Sequence, residues 1–354
     1  NVDFVNNVAY GVQGAAFYTE SGDEVGSMVG NIAIRTVSPS FVLDDEGAID
    51  PDLRAEVQDF GVDGDGFWLS GHRVSLINNI SAGASAHGMI IWSDGLVETD
   101  RGRATVKVSE IPNGHLITDR DTIPTWWAPM AEISNNESYG AIIGFRSRYV
   151  HSHVYLGERA SEFHAPPPQA YIDTLQPVVD GLTVWGSHDG VLLNYNERMS
   201  LRNARLIGIG APYVQNAGTA DTGVGIDMYN EVSRGPGVIE NVSIEGYSMG
   251  MLAPRHDAWR FSDLMLSNTT DMYVAEPLQT PRSIEMTNVS FGSLDETAVA
   301  GSEAQRRNIV MAPTDDEGIQ PYGFLMPDRI TFDGQGIYAN RQAPAHVAVT
   351  SQPE

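Results

Sequence analysis

The sequence predicts an all-β chain wound as a single right-handed parallel β-helix, a solenoid of about ten rungs with long corner loops. Three observations predict it. An Asn or Asp followed by alternating apolar residues recurs at intervals that cluster near one length. Each phrase then turns a corner and opens a second apolar run, at a glycine in Gly88, Gly190 and Gly250. No long stretch has helical periodicity, and alternation marks strands.

The phrases include "NNVAYGVQGAAFYT", "GNIAIRT", "NNISAGASAHGMIIW", "NNESYGAIIGFR", "DGLTVWGSHDGVLLN", "RNARLIGIG" and "ENVSIEGYSMGMLA". Their anchors, with those of three later phrases, are Asn7, Asn31, Asn79, Asn136, Asp180, Asn203, Asn241, Asp263, Asn288 and Asp328. Asn7 to Asn31 is 24 residues, Asp180 to Asn203 is 23, Asn241 to Asp263 is 22 and Asp263 to Asn288 is 25. Asn31 to Asn79 is 48, two such lengths. A period in the low twenties signals a solenoid, and the Leu/Asn consensus of leucine-rich repeats is missing. One unit cannot bury its apolar edge alone, whereas stacked units about 4.8 Å apart bury a continuous column.

An anchoring Asn suits a corner because it tolerates left-handed backbone and its amide can bond to the next Asn in a ladder. The sequons at Asn79, Asn136, Asn241, Asn268 and Asn288 are therefore expected to face a corner or the interior and not to be glycosylated.

Five long interruptions leave the repeat at about 37–62, 93–129, 157–177, 211–236 and 293–326, with no linker dividing residues 1–354 into two domains. The chain opens on Asn1 inside a strand-like phrase, "NVDFVNNVAY", and is read as a piece of a longer or processed protein. There are 36 Gly and 19 Pro, which call for many turns. Cysteine is absent, which excludes a disulfide framework and a thiolate zinc site and fits a bacterial secreted or cell-surface protein. The net charge of −25 opposes nucleic acid and anionic membranes as partners, and no apolar run is long enough to span a bilayer. An anionic glycan would need a local basic groove or bound divalent cations.

"GFRSRYVHSHVYLG", Gly144 to Gly157, is the densest basic stretch. Alternation puts Arg146 and Arg148 on one strand face, and His151 and His153 on one face. Guanidinium forks match carboxylates, so a uronic acid is a natural partner, with the His pair serving in proton transfer or metal binding. Trp126 and Trp127 end a long loop; exposed rings there would stack on sugars, and a buried one would pin the loop. Asp63 and Asp65 in "DGDGFW" are candidate Ca²⁺ ligands, although Asp-Gly is above all a turn dipeptide. His87 and His188 sit at equivalent corners just before the second-run glycine and are read as structural. There is no phosphate loop, dinucleotide fingerprint or Ser-His-Asp signature.

"NNVAYGVQGAAFYTESGDE", "DGFWLSGHRVSLINNISAGASAHGMIIW", "EISNNESYGAIIGF", "VVDGLTVWGSHDGVLLN" and "GIDMYNEVSRGPGVIENVSIEGY" occur in that order. Over roughly residues 1–345 the chain resembles the β-helical region of the cell-migration-inducing and transmembrane hyaluronidase family and its bacterial relatives. The resemblance implies a β-helix in a secreted or surface protein, linked to an extracellular polysaccharide. The family's residues tied to hyaluronan cleavage precede this region, so the resemblance assigns no catalytic residue here. Two function classes follow. One is a β-helix that binds or cleaves an acidic glycan, as a lyase or a hydrolase. The other is a non-catalytic structural or adhesive module of a larger secreted protein.

Overall fold

The computed structural model describes residues 2–38, 63–93, 97–98, 102–103, 105–116, 120–151, 168–209, 223–228, 235–274, 283–291, 307–311, 329–332 and 335–337. The fold is all-β and repetitive. Two large sheets, of sixteen and nine strands, run almost wholly in parallel.

Nine successive repeats supply both sheets. The first five give the larger sheet two short strands each, as in Val74–Ile77 and Ile80–Ala82, and give the smaller sheet one, here His87–Trp92. The next four fuse the two short strands into one long strand, Ser200–Gly208, Gly237–Glu245, Ala258–Ser267 and Ser283–Phe291. Each strand pairs with its counterpart in the next repeat, and inward side chains stay in register. Phe17, Phe67 and Met89 line up in the smaller sheet, as do Met28, Leu76 and Ile133 in the larger. The inward rows of both sheets share one apolar core, running from Phe17 and Met28 to Met272 and Met286. Burying each such side chain contributes about 1.5–3 kcal/mol.

The Asn anchors fall into two adjacent columns, which the sequence reading merged. Asn7, Asn31, Asn79 and Asn136 form an inward ladder. The backbone N–H and the side-chain Nδ2 of Asn31 both donate to Asn79 Oδ1, at 2.9 and 3.1 Å. Asn7 bonds Asn31 in the same way, and Asn79 bonds Asn136. Beyond Asn136 this column becomes apolar, through Leu182, Ala204, Val242, Leu264 and Val289. The preceding column holds the left-handed corner: Asn6, Gly30, Asn78, Asn135, Gly181, Asn203, Asn241, Asp263 and Asn288, with φ between 51° and 68°. Later anchors belong here and are exposed. Asn241 donates to Asn203 Oδ1 at 2.7 Å, and Asn203 to Asp180 Oδ1 at 2.7 Å. Each "NN" phrase supplies one residue to each column. The expected sequon placement follows: Asn79, Asn136 and Asn268 are buried, whereas Asn241 and Asn288 stand at the exposed corner.

The second-run glycines occupy a close approach between repeats. A Cβ on Gly88 would fall on Ser138 Oγ and the Gly144 carbonyl. Gly66, Gly144, Gly190, Gly225 and Gly250 hold the equivalent place.

Two stretches expected to be loop insertions carry strands of the smaller sheet instead. Val224–Asp227 lies within 211–236, and Arg307–Met311 within 293–326. Both hold a short apolar run of the second-strand type, masked in sequence by polar flanks. The described parts of 93–129 and 157–177 pack together into a satellite core. A hairpin of Thr105–Lys107 and Thr122–Pro124 contributes Val106 and Ile123, and the Gln169–Ile172 helix contributes Tyr171 and Ile172. The 37–62 stretch lies almost entirely outside the described residues, as does Asp328.

Candidate functional site

The outward face of the nine-stranded sheet carries the expected arginines. The strand Ile143–Arg148 alternates Phe145 and Ser147 inward with Arg146 and Arg148 outward. Register places Trp92 and Asn194 on either side of Arg148, and Ile90 and Leu192 on either side of Arg146. The alternation read from "FRSR" thus holds, and aromatic rings flank it.

The Arg148 guanidinium carbon lies 4.4 Å from the Trp92 ring centroid, 4.7 Å from Tyr149 and 5.1 Å from Tyr195. Arg146 lies 5.5 Å from the Trp92 ring. Trp68 stacks on the Trp92 side at 5.8 Å, and Tyr149 stacks on Tyr195 at 5.1 Å. A cation within about 6 Å of an aromatic centroid is attracted to its face, more strongly as water is excluded. Tyr149 and Tyr195 both have left-handed backbone, with φ of 63° and 52°. For a bulky residue this costs about 1–2 kcal/mol each, and such strain concentrates at functional sites.

Neither arginine pairs with a carboxylate among the described residues. Arg198, Arg202, Arg205 and Arg260 do, through Asp173, Glu240, Glu245 and Glu285. Burial lowers the pKa of Arg146, with the Arg148 charge adding to the effect and Tyr149, Asp65 and Asp63 opposing it. Two adjacent, partly dehydrated guanidinium groups gain from an incoming anion.

A buried relay adjoins Arg146. Asp65 is fully buried, and its Oδ1 accepts from the His87 backbone N–H at 3.0 Å and from His87 Nδ1 at 2.7 Å. The second contact puts the ring proton on Nδ1 and the lone pair of a neutral ring on Nε2. Arg146 Nη1 donates to that lone pair at 3.2 Å. Asp65 Oδ2 is buried without a hydrogen-bond partner.

Other sequence candidates lie elsewhere. Trp126 and Trp127 are both buried in the satellite core, so neither offers the stacking face expected of one of them. Both indoles belong to one buried cluster with Val106 and Ile123 of the hairpin, and Tyr171 donates to the Trp127 carbonyl at 2.8 Å. His151, expected to serve in proton transfer or metal binding, is also buried. The strand ends at Arg148, and His151 lies beyond it on left-handed backbone (φ 56°) with its ring buried. His151 Nε2 bonds the Ala128 carbonyl at 2.9 Å, beside His72 Nε2 on the same oxygen at 2.6 Å. Burial lowers their pKa values to about 3 and about 4, so both rings are neutral near neutral pH. His153 lies outside the described residues. Asp65 is engaged by His87. Among the described residues, no group of three or more His, Asp and Glu side chains is placed to hold one cation around Asp63 or elsewhere.

Sequence reasoning missed Trp68, Trp92, Tyr149, Tyr195 and the Asp65–His87 pair. The signal was present in the repeat itself, since "IIWS", "RSRY" and "LLNY" occupy one place in three consecutive repeats. No family model matches the chain, and no curated protein is significantly similar to it.

Proposed function

We propose that this protein is a secreted or cell-surface parallel β-helix that binds an acidic glycan, a hyaluronan-like or other uronic-acid polymer, across the outward face of its nine-stranded sheet. In this reading the repeats close into a right-handed solenoid of about ten rungs, because parallel crossovers within a sheet are almost always right-handed. Parallel pairing between successive repeats and one shared core support that closure. The resemblance of the repeat phrases to the β-helical region of the cell-surface hyaluronidase family agrees with this substrate class.

One observation carries the functional reading. In a chain of net charge −25, Arg146 and Arg148 stand side by side without a carboxylate partner among the described residues, on a bed of Trp92, Tyr149 and Tyr195. Guanidinium groups read carboxylates through paired hydrogen bonds, and aromatic rings accept the apolar faces of sugars.

The test is calorimetric titration with hyaluronan octasaccharide, comparing the natural chain with Arg146→Ala and Arg148→Ala. Loss of one charge-assisted contact weakens binding by about tenfold to a hundredfold. Equal affinity in all three proteins removes these arginines from the site. The second reading, a stiff adhesive module, draws on the larger sheet. There Arg202, Arg205 and Arg260 are tied to glutamates of the adjacent repeat, which suits a rod more than a recognition face.

A further inference from the structure

We infer that the Asp65–His87–Arg146 relay makes this face a polysaccharide lyase site, with His87 Nε2 as the base that removes the proton α to a uronate carboxylate. The inference rests on the acidic-glycan reading above and extends it from binding to chemistry. Three features of the relay carry it.

First, the tautomer is fixed. Asp65 Oδ1 accepts a hydrogen bond from Nδ1–H at 2.7 Å, so the basic nitrogen is the one turned toward Arg146. The carboxylate that orients the ring is itself fully buried, and it also holds the His87 backbone N–H at 3.0 Å. Such a pair stabilises an imidazolium formed during proton transfer. Second, Arg146 is placed for two tasks in turn. Without ligand its Nη1 sits on His87 Nε2 at 3.2 Å. A uronate carboxylate competes for that guanidinium, and pairing with it uncovers Nε2. Third, the geometry matches the chemistry. The acidic C–H of a uronate is one bond from the carboxylate carbon. A carboxylate held by Arg146 therefore brings this C–H beside the base. The guanidinium also neutralises the carboxylate, which lets negative charge build on it as the proton leaves.

The step balances without an external oxidant or metal. The C5–H proton passes to His87 Nε2, and its electron pair forms the C4=C5 double bond. The C4–O bond to the next sugar breaks, and the departing oxygen takes a proton from solvent water. The resulting hydroxide accepts the proton held on His87, restoring the neutral ring. No water is added across the bond, so the product is a 4,5-unsaturated uronate at the new non-reducing end. His87 is the catalytic residue in this scheme, and Asp65 is a positioning residue.

The experiment measures two quantities on the same samples: binding of hyaluronan octasaccharide by calorimetry, and formation of the unsaturated uronate by its ultraviolet absorbance and by mass. The natural chain is expected to bind and to release unsaturated product. His87→Gln keeps a hydrogen-bonding side chain and is expected to bind normally while losing about a hundredfold or more in kcat. Asp65→Asn is expected to lower kcat by about tenfold or more with KM unchanged, and to shift the acidic limb of the kcat profile. Circular dichroism and thermal unfolding check that both variants are folded. Should either fail to fold, His87→Asn and Asp65→Glu are measured instead, with the same expected split of kcat from KM. Binding without unsaturated product, or product that His87→Gln leaves unchanged, overturns the lyase inference and leaves the binding reading standing. Absence of binding overturns both.

Discussion

Replacing Asn79 by Ala strips the inward ladder at its middle, and the structure sets the size of the loss. Asn79 Oδ1 accepts from Asn31 N and Asn31 Nδ2, while Asn79 Nδ2 donates to the Met28 carbonyl at 2.7 Å and to Asn136 Oδ1 at 3.1 Å. Three of the four groups keep another partner: Asn31 Nδ2 still reaches the Phe4 carbonyl, Asn136 Oδ1 still receives the backbone N–H of residue 79, and the Met28 carbonyl stays in the parallel ladder with the strand of Ile77. The Asn31 N–H loses the amide that faces it, at a position where Asn31 and Asn79 are both 0% exposed. A buried polar group left unpaired costs about 1–3 kcal/mol, so Asn79→Ala is expected to cost about 2 kcal/mol. Asn7→Ala removes a side chain of the same ladder at its exposed end and is expected to cost about 0.5 kcal/mol. Urea unfolding followed by circular dichroism measures both, and hydrogen exchange of the Asn31 amide reports the broken contact directly. Equal losses at Asn79 and Asn7, or unchanged exchange at Asn31, would refute the ladder as a source of stability.

Further outcomes follow from other parts of the molecule. The His72 and His151 rings are neutral in the fold, with pKa values of about 4 and about 3 against the ordinary histidine value of 6.5, so the unfolded chain binds more protons below pH 6.5. Their contribution is therefore complete above that value and declines as pH falls toward the folded values. From about pH 6 to about pH 5 the pair is expected to remove about 2 kcal/mol, read from urea midpoints. His151→Leu, which leaves the Ala128 carbonyl its bond from His72, halves that slope; an unchanged slope contradicts the assignment. Gly88→Ala drives a methyl group into the Ser138 side chain and the Gly144 carbonyl, and is expected to destabilise by about 1–3 kcal/mol in the same assay. Trp126→Phe and Trp127→Phe alter the satellite core but no ring on the arginine face, so octasaccharide affinity is expected to stay within about twofold of the natural chain. A larger loss would return those tryptophans to the binding surface.

The repeat was legible because its determinants are local. Alternation set the strands, and the glycine of each second run marked a place where no side chain fits. The Asn columns were only half legible. Asn79 and Asn203 look alike as anchors, yet one is buried in the ladder and the other stands at the exposed corner beside it. Only the register with Leu182 and Ala204 separates the two positions. Strands Val224–Asp227 and Arg307–Met311 were hidden because each is short and lies among polar residues.

At the site, the alternation of Arg146 and Arg148 was readable within one strand. Their environment was not, because Trp92, Arg148 and Tyr195 come from three repeats. His151 looked like a surface group until a left-handed turn placed it inside. His87 and Asp65 looked like corner residues, and their 2.7 Å contact joins two successive repeats.

The central claim is that Arg146 and Arg148 recognise carboxylates on a sugar chain. The most direct measurement compares hyaluronan octasaccharide with the same oligosaccharide after its uronic carboxyl groups are reduced to alcohols, titrated into the natural chain at fixed ionic strength. Binding of the uronate form, lost on reduction and weakened by added salt, is the predicted result. Equal affinity for both forms, or no binding of either, contradicts the account.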